Sequence, residues 1–254
     1  MKLNHSQKKK VSLFIPCTVD LVLPAIGEST AALVRHLGCT PVYHREQTCC
    51  GLMAFNSGFR QQARRLARHF IEVFENDEVI VSPSGSCVAM VKQRYPELFE
   101  DQPDWQRRAL ALAPRVFELS QFIVDHLGIR DLGGACNAKV AFHESCSTLN
   151  ALGIGPQPKA LISAVRGASL VYFKGADVCC GFGGTFSNAF PDISTALVTQ
   201  KVNAYIESQA DLLVMCDPGC LLNIQGFLHR RHPERRALHL AEFLAESIRE
   251  ESKT

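Results

Sequence analysis

The chain has 254 residues, 46% of them hydrophobic and 20% charged, with a net charge of +2. That length supports one large domain or two of about 120 residues, enough to bury a core. The charge balance excludes a dedicated nucleic-acid binder and a charged disordered protein, and no uncharged stretch reaches the roughly 18 residues of a membrane span.

Residues 1–10 read as a disordered tail. Lys8, Lys9 and Lys10 precede the apolar run Val11 to Pro16. This does not read as a signal peptide: the run is short, is broken by Pro16 and Asp20, and lacks a small-residue cleavage site. The chain is therefore expected in the cytoplasm. There its eleven cysteines are not a disulfide framework. They are buried small hydrophobes, or ligands and redox centres.

A strand is predicted over residues 11–15, just before Cys17. Cys49-Cys50-Gly51 follows, then a helix over 59–74. Its apolar stripe is Ala63, Leu66, Ala67, Phe70, Ile71 and Phe74, and Arg64, Arg65 and Arg68 read as a solvated face. A strand at Val79 to Val81 leads through Ser84-Gly85-Ser86 to Cys87. Pro96 to Pro114 reads as an insertion, and 128–137 as a linker.

Val140 to Phe142 is the next strand, followed by His143-Glu144-Ser145-Cys146. After a strand at Leu170 to Phe173 comes the loop Cys179-Cys180-Gly181-Phe182-Gly183-Gly184. A helix is predicted over 193–206, with Asp192 as N-cap and Leu197, Val198, Val202 and Ile206 inward. A strand at Leu212 to Met215 then leads through Asp217-Pro218-Gly219 to Cys220.

These features form a repeat. Cys17 precedes its Cys-Cys-Gly by 32 positions and Cys146 by 33; Cys87 follows Cys50 by 37 and Cys220 follows Cys180 by 40. Short apolar strands alternating with helices predict an α/β fold. The expectation is two tandem Rossmann-like or flavodoxin-like units with parallel sheets, related by pseudo-twofold symmetry, over 11–127 and 138–250. Ligands in such units sit beyond the carboxyl ends of the strands. Four sequence-distant cysteines converge there in each unit: Cys17, Cys49, Cys50 and Cys87, then Cys146, Cys179, Cys180 and Cys220.

Thiolates select iron-sulfur clusters, zinc or copper(I). Adjacent cysteines do not easily reach one tetrahedral zinc, whose ligands are usually two or more residues apart. A cluster offers several irons. Cys39 and Cys136 read as packing or surface residues. Cys216, spaced Cys-x-x-x-Cys with Cys220, reads as a spare ligand or disulfide partner. His143 is either a strand-end core residue or a neighbour of the site, and His44 has the same status. His229 and His232 read as solvated. The glycine loop at 181–184 lacks Gly-x-Gly-x-x-Gly spacing and there is no Walker A sequence, so no nucleotide or flavin site is visible.

The duplicated arrangement resembles the cysteine-rich (CCG) domain family, of the heterodisulfide reductase type. The short two-repeat form is similar to the family's lactate-utilization members, on Asn56-Ser57-Gly58, Ser82 to Cys87, Cys179 to Phe186 and Gly219 to Ile224. The resemblance implies an iron-sulfur electron-transfer subunit without its own flavin or NAD. It would act with the other subunits of a system oxidising L-lactate to pyruvate. In the heterodisulfide reductase relative each full motif supplies five cysteines to a noncubane cluster. Here the first cysteine of the closing Cys-x-x-Cys is Ser84 in one repeat and Asp217 in the other, so each site has four thiolates. A 4Fe-4S or a noncubane cluster is implied, with Cys216 and Asp217 as further donors to the second. Zinc at a structural site, a thiol/disulfide or heterodisulfide-reductase-like role, and a non-redox assembly subunit are the alternatives.

Overall fold

The computed structural model describes residues 9–251. The tail expected over 1–10 lies outside the described residues except for Lys9 and Lys10, and Lys10 already opens a strand. The first repeat runs β1 (Lys10–Leu13), α1 (Cys17–Leu21), α2 (Pro24–His36), β2 (Thr40–Tyr43), α3 (Leu52–Asn56), α4 (Arg60–Phe74), β3 (Ile80–Ser82) and α5 (Gly85–Ala89). After a π-helical turn come α6 (Tyr95–Leu98), α7 (Pro103–Leu112), β4 (Val116–Glu118) and α8 (Leu119–Gln121). The second repeat runs β5 (Ala135–His143), α9 (Pro156–Ala164), β6 (Arg166–Val171), α10 (Phe186–Ala189), α11 (Pro191–Glu207), β7 (Leu212–Met215), α12 (Pro218–Arg231), β8 (Arg236–His239) and α13 (Leu240–Glu251). Residues 135–137 of the segment read as a linker are thus strand.

Each repeat forms a four-stranded, all-parallel sheet, in the orders β2-β1-β3-β4 and β6-β5-β7-β8. The chain therefore reverses direction across the sheet between β1 and β3, and again between β5 and β7. Such switch points open a crevice at the strands' carboxyl ends. The central strands explain the continuous apolar runs: β3 and β7 are buried along their whole length, whereas the edge strands β2 and β6 are partly exposed.

One apolar core runs through both repeats, joining Val11, Leu13, Leu119 and Phe122 to Val140, Leu213, Leu240 and Phe243. The pairing is reciprocal: α13 packs on α2, and α8 on α9. Each repeat's last helix thus covers the other's first crossover helix. The buried residues of a second cluster all come from the first repeat, where Phe14 meets Phe70 edge-to-face at 4.7 Å and Tyr95 lies 5.6 Å from Phe70.

Two local expectations change. Asp192 is not the N-cap of α11: Pro191 takes the first helical position, where its missing N–H costs nothing, and Phe190 becomes the cap. Nor do Arg64 and Arg68 belong to a solvated face, although Arg65 is exposed. Arg64 holds both carboxylate oxygens of Asp101 at 2.6 and 3.1 Å, and Arg68 lies over Trp105 at 5.4 Å. They clamp the 96–114 segment, whose α7 has no counterpart between α12 and β8.

Glu118 and His239 end β4 and β8 and occupy matching places. Both are fully buried and cap the next helix: Glu118 Oε2 accepts from the Ser120 and Gln121 amides at 2.8 and 3.2 Å, and His239 Nδ1 accepts from the Ala241 amide at 3.1 Å. Burial raises Glu118 from 4.5 to about 7, against the hydrogen bonds it accepts. The folded chain thus holds this proton more tightly than the unfolded chain. The resulting stability is fully present below about pH 4.5 and is lost as pH rises through about 7. Glu118→Gln should flatten that loss, worth up to about 3 kcal/mol. Denaturant melts across this pH range measure it, and parallel profiles for native and variant chains would refute it.

Candidate metal centres

All eight motif cysteines line one cavity of about 330 Å³ between the repeats. Sequence spacing grouped them into two quartets; the fold turns both toward the same space. Within each quartet the elements place the sulfurs alike. Cys17 begins α1, whose N-cap is Pro16, shortly after β1, and Cys146 caps the π-helical turn after β5. Cys87 and Cys220 lie in the first turns of α5 and α12, after β3 and β7. The unpaired N–H groups of a helix start favour a thiolate there. The exposure also repeats. Cys50, Cys87, Cys180 and Cys220 are buried, whereas Cys17, Cys49, Cys146 and Cys179 face the opening to varying degrees.

The glycine after each pair is required by geometry. Gly51 and Gly181 have φ of 87° and 88°, a region that favours glycine. A Cβ on Gly181 would lie 2.7 Å from the Ser194 carbonyl oxygen, and one on Gly51 would lie 3.4 Å from that of Ala63. The loop is thereby pressed onto the long helix behind it. In this shape the Gly51 amide donates to Cys49 Sγ at 3.3 Å, and the Gly181 amide to Cys179 Sγ at 3.3 Å. Tyr95 hydroxyl donates to the Cys50 carbonyl at 2.9 Å, and Asn223 Nδ2 to that of Cys180 at 2.9 Å.

Sulfurs lie close together: Cys17 Sγ to Cys49 Sγ is 3.6 Å, and Cys180 Sγ to Cys220 Sγ is 2.9 Å. Protons are therefore shared unequally. Cys49 is held far below the usual thiol range by hydrogen bonds from Cys17 and Cys50, with the Gly51 amide adding to them against burial. Cys179 is lowered in the same way by Cys146 and Cys180. Cys17, Cys50, Cys146 and Cys180 are pushed up by their sulfur neighbours and by burial. Cys220 is pulled down to about 6, chiefly by Cys180, against burial. Each quartet so presents the first cysteine of its pair as the readiest thiolate, which is the form that binds metal.

The two positions where a fifth cysteine is replaced are both helix caps. Ser84 Oγ accepts from the Cys87 amide at 3.4 Å. Asp217 Oδ1 accepts from the Gly219 amide at 3.0 Å, and its Oδ2 reaches across to the Ser86 amide of the first repeat at 2.9 Å. Asp217 lines the cavity, but both its oxygens are engaged with N–H groups. Cys216 is fully buried beside Glu118 and does not line the cavity. Cys39 is buried and Cys136 half-buried within β5.

His143 is fully buried behind the second quartet, one of its ring nitrogens grouped with the sulfurs of Cys180 and Cys220 within 4.8 Å. His44 instead pairs with Asp77 at 2.8 Å and does not line the cavity. His229 and His232 lie at the far end of α12. Sequence reasoning missed Lys201, buried against the loop of the second pair; its place in an apolar stripe was the only signal.

Among the described residues no helix is long and apolar enough to cross a membrane. A family model described as a cysteine-rich domain, CCG, matches residues 11–92 and 140–225. Lactate utilization protein A from an Exiguobacterium species is 43% identical over 242 residues, covering 94% of this chain and 98% of that protein. Lactate utilization protein A of Bacillus subtilis is 41% identical over 92% of this chain and 98% of its own length. Among solved structures, a hypothetical protein from Helicobacter pylori superposes with a TM-score of 0.67 at 10% identity. The match covers 96% of this chain and 49% of that one, so the chain spans about half of that protein. At such identity the likeness concerns the fold alone.

Asp217→Ala should lower the unfolding free energy by about 2 kcal/mol, through the lost cap and the stranded Ser86 amide. Asp217→Asn, which keeps one acceptor oxygen, should cost about half as much. Chemical denaturation checks this, and an unchanged midpoint for the alanine variant would show that the cross-repeat bridge contributes nothing.

Proposed function

The chain belongs to the cysteine-rich (CCG) domain family, and from that premise we propose that it is an iron-sulfur electron-transfer subunit of a multi-protein system that oxidises L-lactate to pyruvate. One observation carries the reading: two equivalent thiol quartets line a single cavity. Four thiols per site suit an ordinary cluster. Cys17, Cys49, Cys50 and Cys87 would hold one, and Cys146, Cys179, Cys180 and Cys220 the other. A bound cluster supplies one-electron transfer.

The protein's own groups support such a role. The Gly51 and Gly181 amides donate toward Cys49 and Cys179, and hydrogen bonds of this kind tune a cluster's potential. The buried inner cysteines lie away from water, whereas the outer ones face the opening where a partner would dock. The substrate side is read from the names of the relatives, which supports a place in lactate utilization alongside other subunits. A reducing compartment such as the cytoplasm suits eleven free thiols.

Zinc is the second reading, because a grouping of His143, Cys180 and Cys220 is also a zinc-type donor set. Anaerobic purification with iron and sulfide analysis, followed by EPR after reduction, separates the two. Iron, sulfide and a reducible signal are expected; protein holding only zinc, with no such signal, would end the electron-transfer reading. Cys180→Ser should lower the iron content by about half, one of two centres being affected. Unchanged iron and spectra would remove Cys180 from the ligand set.

A further inference from the structure

The two quartets are alike in sulfur and different in what stands behind it. Three positions before the leading cysteine the first repeat has Phe14 and the second His143. Eleven positions after the phenylalanine that caps the long helix, Phe59 or Phe190, the first repeat has Phe70 and the second Lys201. An apolar pair, Phe14 on Phe70 at 4.7 Å, is thus exchanged for an imidazole and an ammonium, both buried.

Burying two such groups side by side costs free energy unless each is satisfied. Lys201 is: its Nζ donates to the Gly175 carbonyl, and to that of Ala176 at 3.1 Å. His143 is satisfied on one side only. Its Nδ1 lies 2.9 Å from the Ala176 carbonyl oxygen, which can only accept, so the proton sits on Nδ1. In the neutral ring Nε2 then carries a lone pair. This Nε2 is buried and has no hydrogen-bond partner, and the ring is grouped with the sulfurs of Cys180 and Cys220 within 4.8 Å. A histidine that donates one nitrogen to a backbone carbonyl and turns the other toward thiolates has the arrangement of a metal ligand oriented by its surroundings.

We propose that His143 is a fifth donor of the second centre, through Nε2, which makes that centre a mixed histidine-thiolate site while the first holds thiolates alone. The inference rests on the reading that the quartets hold metal. Lys201 is a positioning residue. It shares the Ala176 carbonyl with His143 and with the Glu144 amide at 3.0 Å, and so fixes the acceptor that orients the ring. If the metal is an iron-sulfur cluster, its ligation sets its potential, and an added imidazole donor changes the ligation of the second centre alone. The two centres would then differ in potential.

The test uses full-length protein purified anaerobically with its metal, without added ligand. X-ray absorption at the edge of the bound metal, together with pulsed EPR on reduced protein carrying 15N-labelled histidine, reads nitrogen coordination directly. Native protein should show histidine nitrogen bound to metal. The coupling should vanish in His143→Phe and in the milder His143→Gln, and in an iron-loaded protein the potential of the second centre should shift. Lys201→Met should keep the coupling but shift that potential. Metal-loaded native protein without histidine nitrogen, or nitrogen that persists in both His143 variants, would overturn the role of His143 and leave the quartet reading standing. Protein that binds no metal would overturn both.

Discussion

A single carboxylate sets the geometry on which both thiol quartets depend. Asp217 accepts from the amides of Ser86 and Gly219, the residues just before Cys87 and Cys220. One side chain so fixes the starts of α5 and α12, which belong to different repeats, and with them the last cysteine of each quartet. The buried side chain is satisfied on both oxygens, so it holds its place without an unpaired acceptor. Where the family motif has another cysteine, this chain has a cap that bridges the duplication.

The rest of the architecture follows from that joint and from the shared core. Reciprocal packing of α13 on α2 and α8 on α9 leaves the carboxyl ends of both sheets facing each other. Parallel strands with a reversal of direction in each sheet then carry Cys17 and Cys87 to one crevice and Cys146 and Cys220 to the other. The paired cysteines arrive on loops that need a left-handed glycine to approach α4 and α11 closely. Duplication thus produced one cavity, with both sets of thiols on its walls.

Symmetry in the sulfur does not extend to its support. The first site is backed by aromatic rings and the second by His143 and Lys201. Two copies of one fold can therefore keep the same ligand spacing while diverging in polarity behind it. Buried polarity persists where hydrogen bonds satisfy it, and at the second site the backbone carbonyls of Gly175 and Ala176 do so.

Much of this protein was legible in one dimension. Strand runs such as Leu212 to Met215 and the stripe of α4 carry their own periodicity, and the Cys-Cys-Gly repeats carry a covalent spacing that survives folding unchanged. These determined the α/β class, the duplication and the two sets of four thiols. The pairing of Arg64 with Asp101, the burial of Cys216 beside Glu118 and the reach of Asp217 to Ser86 had no local signal, because each joins residues far apart in the chain. Whether the quartets face apart or together was decided only by how the two sheets pack, and the place of His143 beside Cys180 and Cys220 by how β5, the glycine loop and α12 meet within the second repeat. Periodicity reports which face of an element is buried; what it is buried against depends on the docking of distant elements.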